Sequence, residues 1–407
     1  MKIFFALFIL IFLAFSGYHL TFRKIRLPLF ARKFYLTGTE FLVLGLLLGP
    51  WFFNLLDEDT CLGLAPLSAL LLGWVGMLFG FQFELSKLRR FPLEFPIAAF
   101  VEGGTTLVII FAATILLIGS SVFGVNIPIA AIMCLGAASV CTAQTGLALF
   151  APEYLARRSK LVQLLSYIST MDGLLAVVIF SLAFFFKGTF ASGVESSGIL
   201  QGPLMALFIC GGLILLYSLM TVRRCNDGEL KLIVIGMTVL ASGVAMANDF
   251  SPLIANAILG CGLVNFSRDK ERIFQVLMTI EKPVYLILLV FLGVGWKPGS
   301  GWIFLLGAGL CGFRLAGKWL GGALSVKVMP RGQYPVSLGF GLMDSGGLPL
   351  AILFDFQQRF DFPAVGDVVS IGLWAVIFTD LLSPHLFGRL FRDVAYASTD
   401  ANKKHSD

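Results

Sequence analysis

The stretch Leu161-VQLLSYISTMDGLLAVVIFSLAFFF-Lys187 decides how the rest of the chain is read. It is long enough to cross a bilayer as a helix, since about 20 apolar residues span the hydrocarbon core. Asp172 lies in its middle, with apolar residues running for many positions to either side. A carboxylate at that depth costs on the order of 3 kcal/mol by insertion scales. A membrane helix keeps such a group where it pairs with a base, takes up a proton or binds an ion.

The remainder of the chain agrees with a membrane setting. Of 407 residues, 57% are hydrophobic and only 13% charged, against about 25% charged in soluble domains. Mean hydropathy is +0.89. This composition predicts an all-α polytopic membrane protein, and its 44 glycines and 40 phenylalanines suit packed membrane helices. The net charge of +6 is carried mostly by short loops and does not point to nucleic acid. Cys61, Cys134, Cys141, Cys210, Cys225, Cys261 and Cys311 show no metal-ligand spacing and no even disulfide framework. The three histidines form no cluster. No cofactor, haem or metal is expected beyond a transported cation.

Thirteen apolar stretches are read as transmembrane helices: 3–21, 35–56, 64–85, 94–119, 126–150, 161–186, 199–222, 231–248, 251–266, 275–296, 302–326, 334–356 and 365–388. Loops after odd-numbered spans hold bases, as in Arg23–Lys33, Lys87–Arg90, Arg157–Lys160 and Arg268–Arg272. Loops after even-numbered spans hold the acids Asp57, Glu58, Asp59 and Glu195 and only isolated bases. The positive-inside rule then puts the N-terminus outside and the C-terminus in the cytoplasm. Removing the first span as a signal peptide would place the Arg23–Lys33 cluster outside, so that span is expected to be retained. A transport domain over 1–392 is followed by a short polar tail, 393–407. Spans 1–6 and 8–13 would form two halves, inverted in the membrane because their offset is odd.

Several spans carry charges or helix breakers at depth. Glu102 sits in FVEGGTT, and Arg314 and Lys318 in GFRLAGKWLGG. The two bases are four residues apart and so share a helix face. Asp380 and His385 fall near the end of the last span and are read as interfacial. Span 5 contains Ser139-VCTAQT-Gly146 and span 12 contains Gly339-FGLMDSGGL-Pro349. Gly346-Gly347 followed by Pro349 predicts a bent or broken helix. Irregular backbone at membrane depth is tolerated where protein covers it or where it lines a cavity. Two such spans at corresponding places in the two halves predict a midplane site, with Thr142, Gln144, Gly146, Gly346 and Gly347 in the discontinuous segments.

These motifs resemble the monovalent cation:proton antiporter superfamily, the sodium/hydrogen exchanger family, over nearly the whole chain. Leu42-VLGLLLG-Pro50 is similar to an early family helix, and Phe79-GFQFELSKLR-Arg90 to the next helix and its basic end. Ser139-VCTAQT-Gly146 and Gly341-LMDSGGLPL-Ala351 resemble the two unwound helices that cross. The resemblance makes Asp172 the ion-binding aspartate and Lys318, within Gly317-KWLG-Gly322, the membrane-buried lysine. It also implies a core bundle of about 94–187 and 302–390, with the other helices as a scaffold that forms a homodimer. Three departures stand out. Met171 precedes Asp172 where the family has Asn or Asp, Asp344 adds an acid, and Arg314 adds a base.

The expected activity is exchange of Na⁺, K⁺ or Li⁺ for protons in a multi-pass inner or plasma membrane protein that is not an enzyme. Asp172 would hold a cation or a proton but not both, with Thr170, Thr142 and Asp344 as further oxygen ligands and Lys318, Arg314 and Glu102 as charge partners. Two alternatives share this fold. One is a sodium-coupled symporter whose Arg314 and Lys318 bind an organic anion. The other is a Kef-type potassium efflux pathway, against which the absence of a nucleotide-binding module counts.

Overall fold

A computed structural model describes residues 2–22, 38–119, 128–144, 160–186, 201–220, 226–329 and 334–403. Among these, every regular element is helical. In chain order they are α1 (Lys2–Phe22), α2 (Thr39–Leu48), α3 (Glu58–Gly63), α4 (Ala65–Gly80), α5 (Leu85–Leu88), α6 (Glu94–Gly119), α7 (Ile129–Val140) and α8 (Lys160–Phe185). The second part holds α9 (Gln201–Met220), α10 (Asp227–Ala247), α11 (Pro252–Phe266), α12 (Lys270–Gly295), α13 (Gly301–Val328), a 3₁₀ segment (Val336–Leu342), α14 (Gly347–Arg359) and α15 (Val365–Lys403). Among the described residues, seven helices are long and apolar enough to cross a membrane, or eight if the 3₁₀ segment and α14, which meet at a 55° bend, form one span. The chain is therefore a multi-pass membrane protein. Apolar stretches such as Ile129–Val140 and Pro252–Phe266 make shorter helices. The last span does not end at the polar tail: α15 continues to Lys403. Gly146 and the loop bases Arg23–Lys33, Arg157, Arg158, Arg223, Arg224 and Arg331 lie outside the described residues.

The helices sort into two packed groups. In the first, α2 lies on α12 and α4 on α11, with α10 against α4 and α9 against α11. Small residues make both pairings close. A methyl group on Gly45 would collide with the Val290 carbonyl, and one on Gly76 with that of Leu253, the small-residue packing that membrane helices use without a hydrophobic drive between them. In the second group, α6 packs on α13 and α8, α7 on α8, and α15 on α13 and α14. The contact of α6 with α13 is equally close, since a methyl on Gly321 would sit 2.7 Å from the Glu102 carbonyl oxygen. This approach brings the Lys318 face of α13 against the Glu102 face of α6.

Polar groups tie the helices where water would otherwise be needed. Gln357 of α14 donates to the Gly295 carbonyl of α12 at 2.6 Å, and the Ser251 hydroxyl donates to buried Asp355. Both bonds join the two groups. At the start of the chain, Asp57 caps α3 by accepting from Thr60 N at 3.0 Å and meets Lys2 Nζ at 3.1 Å. The Thr60 hydroxyl, then Lys2 and the Thr60 amide, hold the Asp57 carboxyl down at about 2. A carboxyl with a depressed pKa loses its contribution only as pH falls through that value, so this clasp persists through the neutral range.

Candidate functional site

The site lies where the two irregular segments meet between α6, α8 and α13. Helix α7 ends at Val140, and residues 141–144 continue as non-helical chain. The 3₁₀ segment likewise ends at Leu342, and α14 starts only at Gly347. Ala143 N donates to the Asp344 carbonyl oxygen at 2.8 Å, backbone to backbone across the crossing. Gly346 has φ +69° and ψ −159°, a region open essentially to glycine alone. A methyl there would also collide with Ala143 Cβ. Gly346→Val is expected to separate the two segments, at a backbone cost of about 1–3 kcal/mol plus the clash. The check is loss of the monodisperse peak in detergent chromatography, or of thermal stability; an unchanged melting temperature would contradict it.

Breaking a helix frees backbone groups, and each needs a partner when buried. Arg314 NH2 donates to the Cys141 carbonyl at 2.6 Å, and its NH1 donates to the Ser345 hydroxyl. Ser169 Oγ donates to the Thr142 carbonyl at 2.7 Å. Ser345 N donates to Asp380 Oδ1 at 3.2 Å. Asp380 is therefore a buried acceptor for broken backbone, not an interfacial acid. Ser169 and Ser345 are buried with it, and as common hydroxyl residues they gave no sequence signal for these roles. A serine preceding Asp or Gly next to a predicted break is the pattern that would have found Ser345.

The charged cluster sits beside this crossing. Lys318 Nζ lies 2.7 Å from Asp172 Oδ2 and 3.2 Å from Glu102 Oε1. Thr142 Oγ1 donates to the same Asp172 Oδ2 at 2.6 Å, and Thr106 Oγ1 to Glu102 Oε1 at 3.1 Å. Glu102 and Lys318 are fully buried and Asp172 is 1% exposed. Asp172 Oδ1 receives no hydrogen bond from any described residue. It points at Gly103, where a methyl would stand 3.1 Å away. The Glu102 and Asp172 carboxyl groups thus converge on the one Lys318 ammonium. With both acids ionised, this set of two acids and one base carries one surplus negative charge.

The other expected residues stand around this cluster. Thr170 accepts from Gln144 Nε2 at 2.8 Å and donates to the Ser166 carbonyl at 3.0 Å, one step away from the Asp172 carboxylate. Asp344 is fully buried and brings its backbone carbonyl to the crossing. Arg314 and Lys318 share a face of α13 but divide the work, one on broken backbone and the other on the acids. Met171 is half-buried against neighbouring core side chains. Among the described residues, no group of His, Cys, Asp and Glu is arranged to hold a metal ion.

The same arrangement of helices occurs in a solved structure, that of the sodium proton antiporter MjNhaP1 from Methanocaldococcus jannaschii at pH 8. The superposition has a TM-score of 0.66 and covers 96% of this chain and 100% of that one. The chain has the fold of a sodium/proton antiporter. Sequence identity over the match is 16%, so the likeness is one of fold. No protein-family model matches the chain, and no curated protein matches its sequence. In this antiporter fold, the second helix group carries Glu102, Asp172, Arg314 and Lys318 together, although they are spread over more than two hundred positions of sequence.

Proposed function

We propose that the chain is a secondary active transporter that exchanges Na⁺, K⁺ or Li⁺ for protons. The observation that carries this reading is the buried set of Glu102, Asp172 and Lys318 at the crossing of two broken segments. Burying an unbalanced charge is costly, and one monovalent cation or one proton removes the imbalance. Either occupant fits the chemistry of Asp172 Oδ1, which is buried and free of donors. The two occupants neutralise the same charge, so they compete, and competition at one site is the basis of obligatory exchange. Thr142 and the carbonyls of the irregular segments supply further hard oxygen ligands.

Alternating access is read as movement of the core, about 94–187 and 302–390, against the remaining helices. Thirteen crossings with the N-terminus outside, the C-terminus in the cytoplasm of the cell membrane, and a scaffold-mediated homodimer complete the proposal. An offset of seven spans exchanges α2 with α11, α4 with α12, α6 with α13 and α8 with α15. The packing respects that exchange: α2 lies on α12 as α11 lies on α4, and α6 on α8 as α13 on α15. That two-fold relation supports inverted halves. The organic-anion alternative needs Arg314 for its ligand, and Arg314 is already committed to Cys141 and Ser345.

The test is a pH-gradient dequenching assay in proteoliposomes with Na⁺, K⁺, Li⁺ and a chloride control. At least one cation is expected to dissipate the gradient. Failure of all three, or cation uptake with no proton movement, would overturn exchange.

A further inference from the structure

A cavity outside the ion site lies at the starts of α6 and α8. The chain between α5 and α6, the start of α8 and Tyr334 enclose an open cavity of about 640 Å³. Its floor is aromatic. Phe91 stacks on Phe95 with centroids 5.4 Å apart and meets Tyr167 edge-on at 5.2 Å. Its rim is basic, with Lys87, Arg90 and Lys160 against the single acid Glu94. The nearby Glu84 is already shared, 2.7 Å from Lys87 and 2.6 Å from Lys270. Among the described residues, Arg90 and Lys160 have no carboxylate partner. The cavity therefore carries a surplus of positive charge that nothing in the site described above uses.

The surface next to the cavity shows what kind of anion suits it. Leu93, just before α6, and Ile97 and Phe100 within it fall at i, i+4 and i+7, the spacing of one helix face. They are 81%, 48% and 82% exposed. An apolar stripe on a membrane-spanning helix faces lipid, and this one begins at the basic rim. A soluble phosphate compound would use the rim and leave the stripe idle. An anionic phospholipid would use both, its phosphate on the bases and an acyl chain along the stripe.

We infer that this cavity binds the headgroup of an anionic glycerophospholipid. Basic pockets at the ends of transmembrane helices are suited to such headgroups. The lipid would touch the starts of α6 and α8, which carry Glu102 and Asp172, and Tyr334 just before the 3₁₀ segment, so it would brace the ends of elements that form the ion site. This inference does not depend on which ion is exchanged.

The experiment is native mass spectrometry of the full chain in neutral detergent, titrated with phosphatidylglycerol and phosphatidylcholine. The comparison is the Arg90→Gln/Lys160→Gln variant, with its melting temperature checked in the same detergent. Wild type is expected to prefer phosphatidylglycerol by about tenfold or more, since each base near an anionic headgroup adds appreciably to affinity. The variant is expected to lose most of that preference with phosphatidylcholine binding and melting unchanged. Equal binding of the two lipids by wild type, or an unaltered preference in the variant, would overturn the inference. A third arm adds millimolar inorganic phosphate. Displacement of phosphatidylglycerol by phosphate alone would make the ligand a soluble phosphate compound and sink the lipid assignment.

Discussion

Asp172→Asn is expected to reduce cation-driven proton movement to the level of protein-free liposomes while leaving the protein folded. The change keeps the side-chain volume, and the one amide oxygen can take the place of Asp172 Oδ2 and accept from both Thr142 and Lys318, which lie 2.6 and 2.7 Å from it. It removes the charge that a cation or proton would neutralise. Glu102 and Lys318 then balance each other, so no driving force for uptake of either occupant is left at the crossing. Because an uncompensated buried charge is also removed, the variant should melt at or above the wild-type temperature. The two readouts together separate loss of the site from loss of the fold. Wild-type exchange in well-folded Asp172→Asn protein would show that the ion is held elsewhere, with Glu102 the next carboxylate to examine. Asp172→Glu retains the charge one methylene further out and is expected to keep a reduced, cation-dependent activity.

The sequence exposed the charges more readily than the contacts. Asp172, Glu102, Arg314 and Lys318 were visible because ionisable groups inside apolar spans have few reasons to be there. The broken segments were visible from Gly346, Gly347 and Pro349. Which base meets which acid was not, because Arg314 and Lys318 occupy the same helical face. Their division follows from the tight contact of α13 with α6 at Gly321, which sets Lys318 against Glu102, and from the free Cys141 carbonyl, which attracts Arg314. Asp380 differs from its sequence expectation for a related reason. Its position near the end of a hydrophobic stretch suggested an interface, but α15 runs on to Lys403 and its acid is needed by Ser345 N. The basic end of Phe79–Arg90 was legible as a charge cluster. That it forms a cavity with α8 and Tyr334, far away in sequence, was not.

Lys318→Met tests the other half of the charge count, and its largest effect is on stability. The substitution preserves length and apolar packing but leaves Glu102 and Asp172 with no base between them. Removing one partner of a buried ion pair costs about 3–5 kcal/mol, because the remaining charge is stranded. Here two like charges are stranded together. The purified variant is therefore expected to melt well below wild type and to aggregate on mild heating. Adding Glu102→Gln to Lys318→Met brings the local charge back to the wild-type value, with Asp172 alone ionised. The double variant should recover part of the lost stability, so the two changes should couple favourably by roughly 0.5–3 kcal/mol in a double-mutant cycle. Additive losses would mean that Glu102 and Lys318 do not share a charge-balanced site. Recovery of stability without recovery of exchange would place Lys318 in the transport cycle itself, as the group that occupies Asp172 whenever the ion does not.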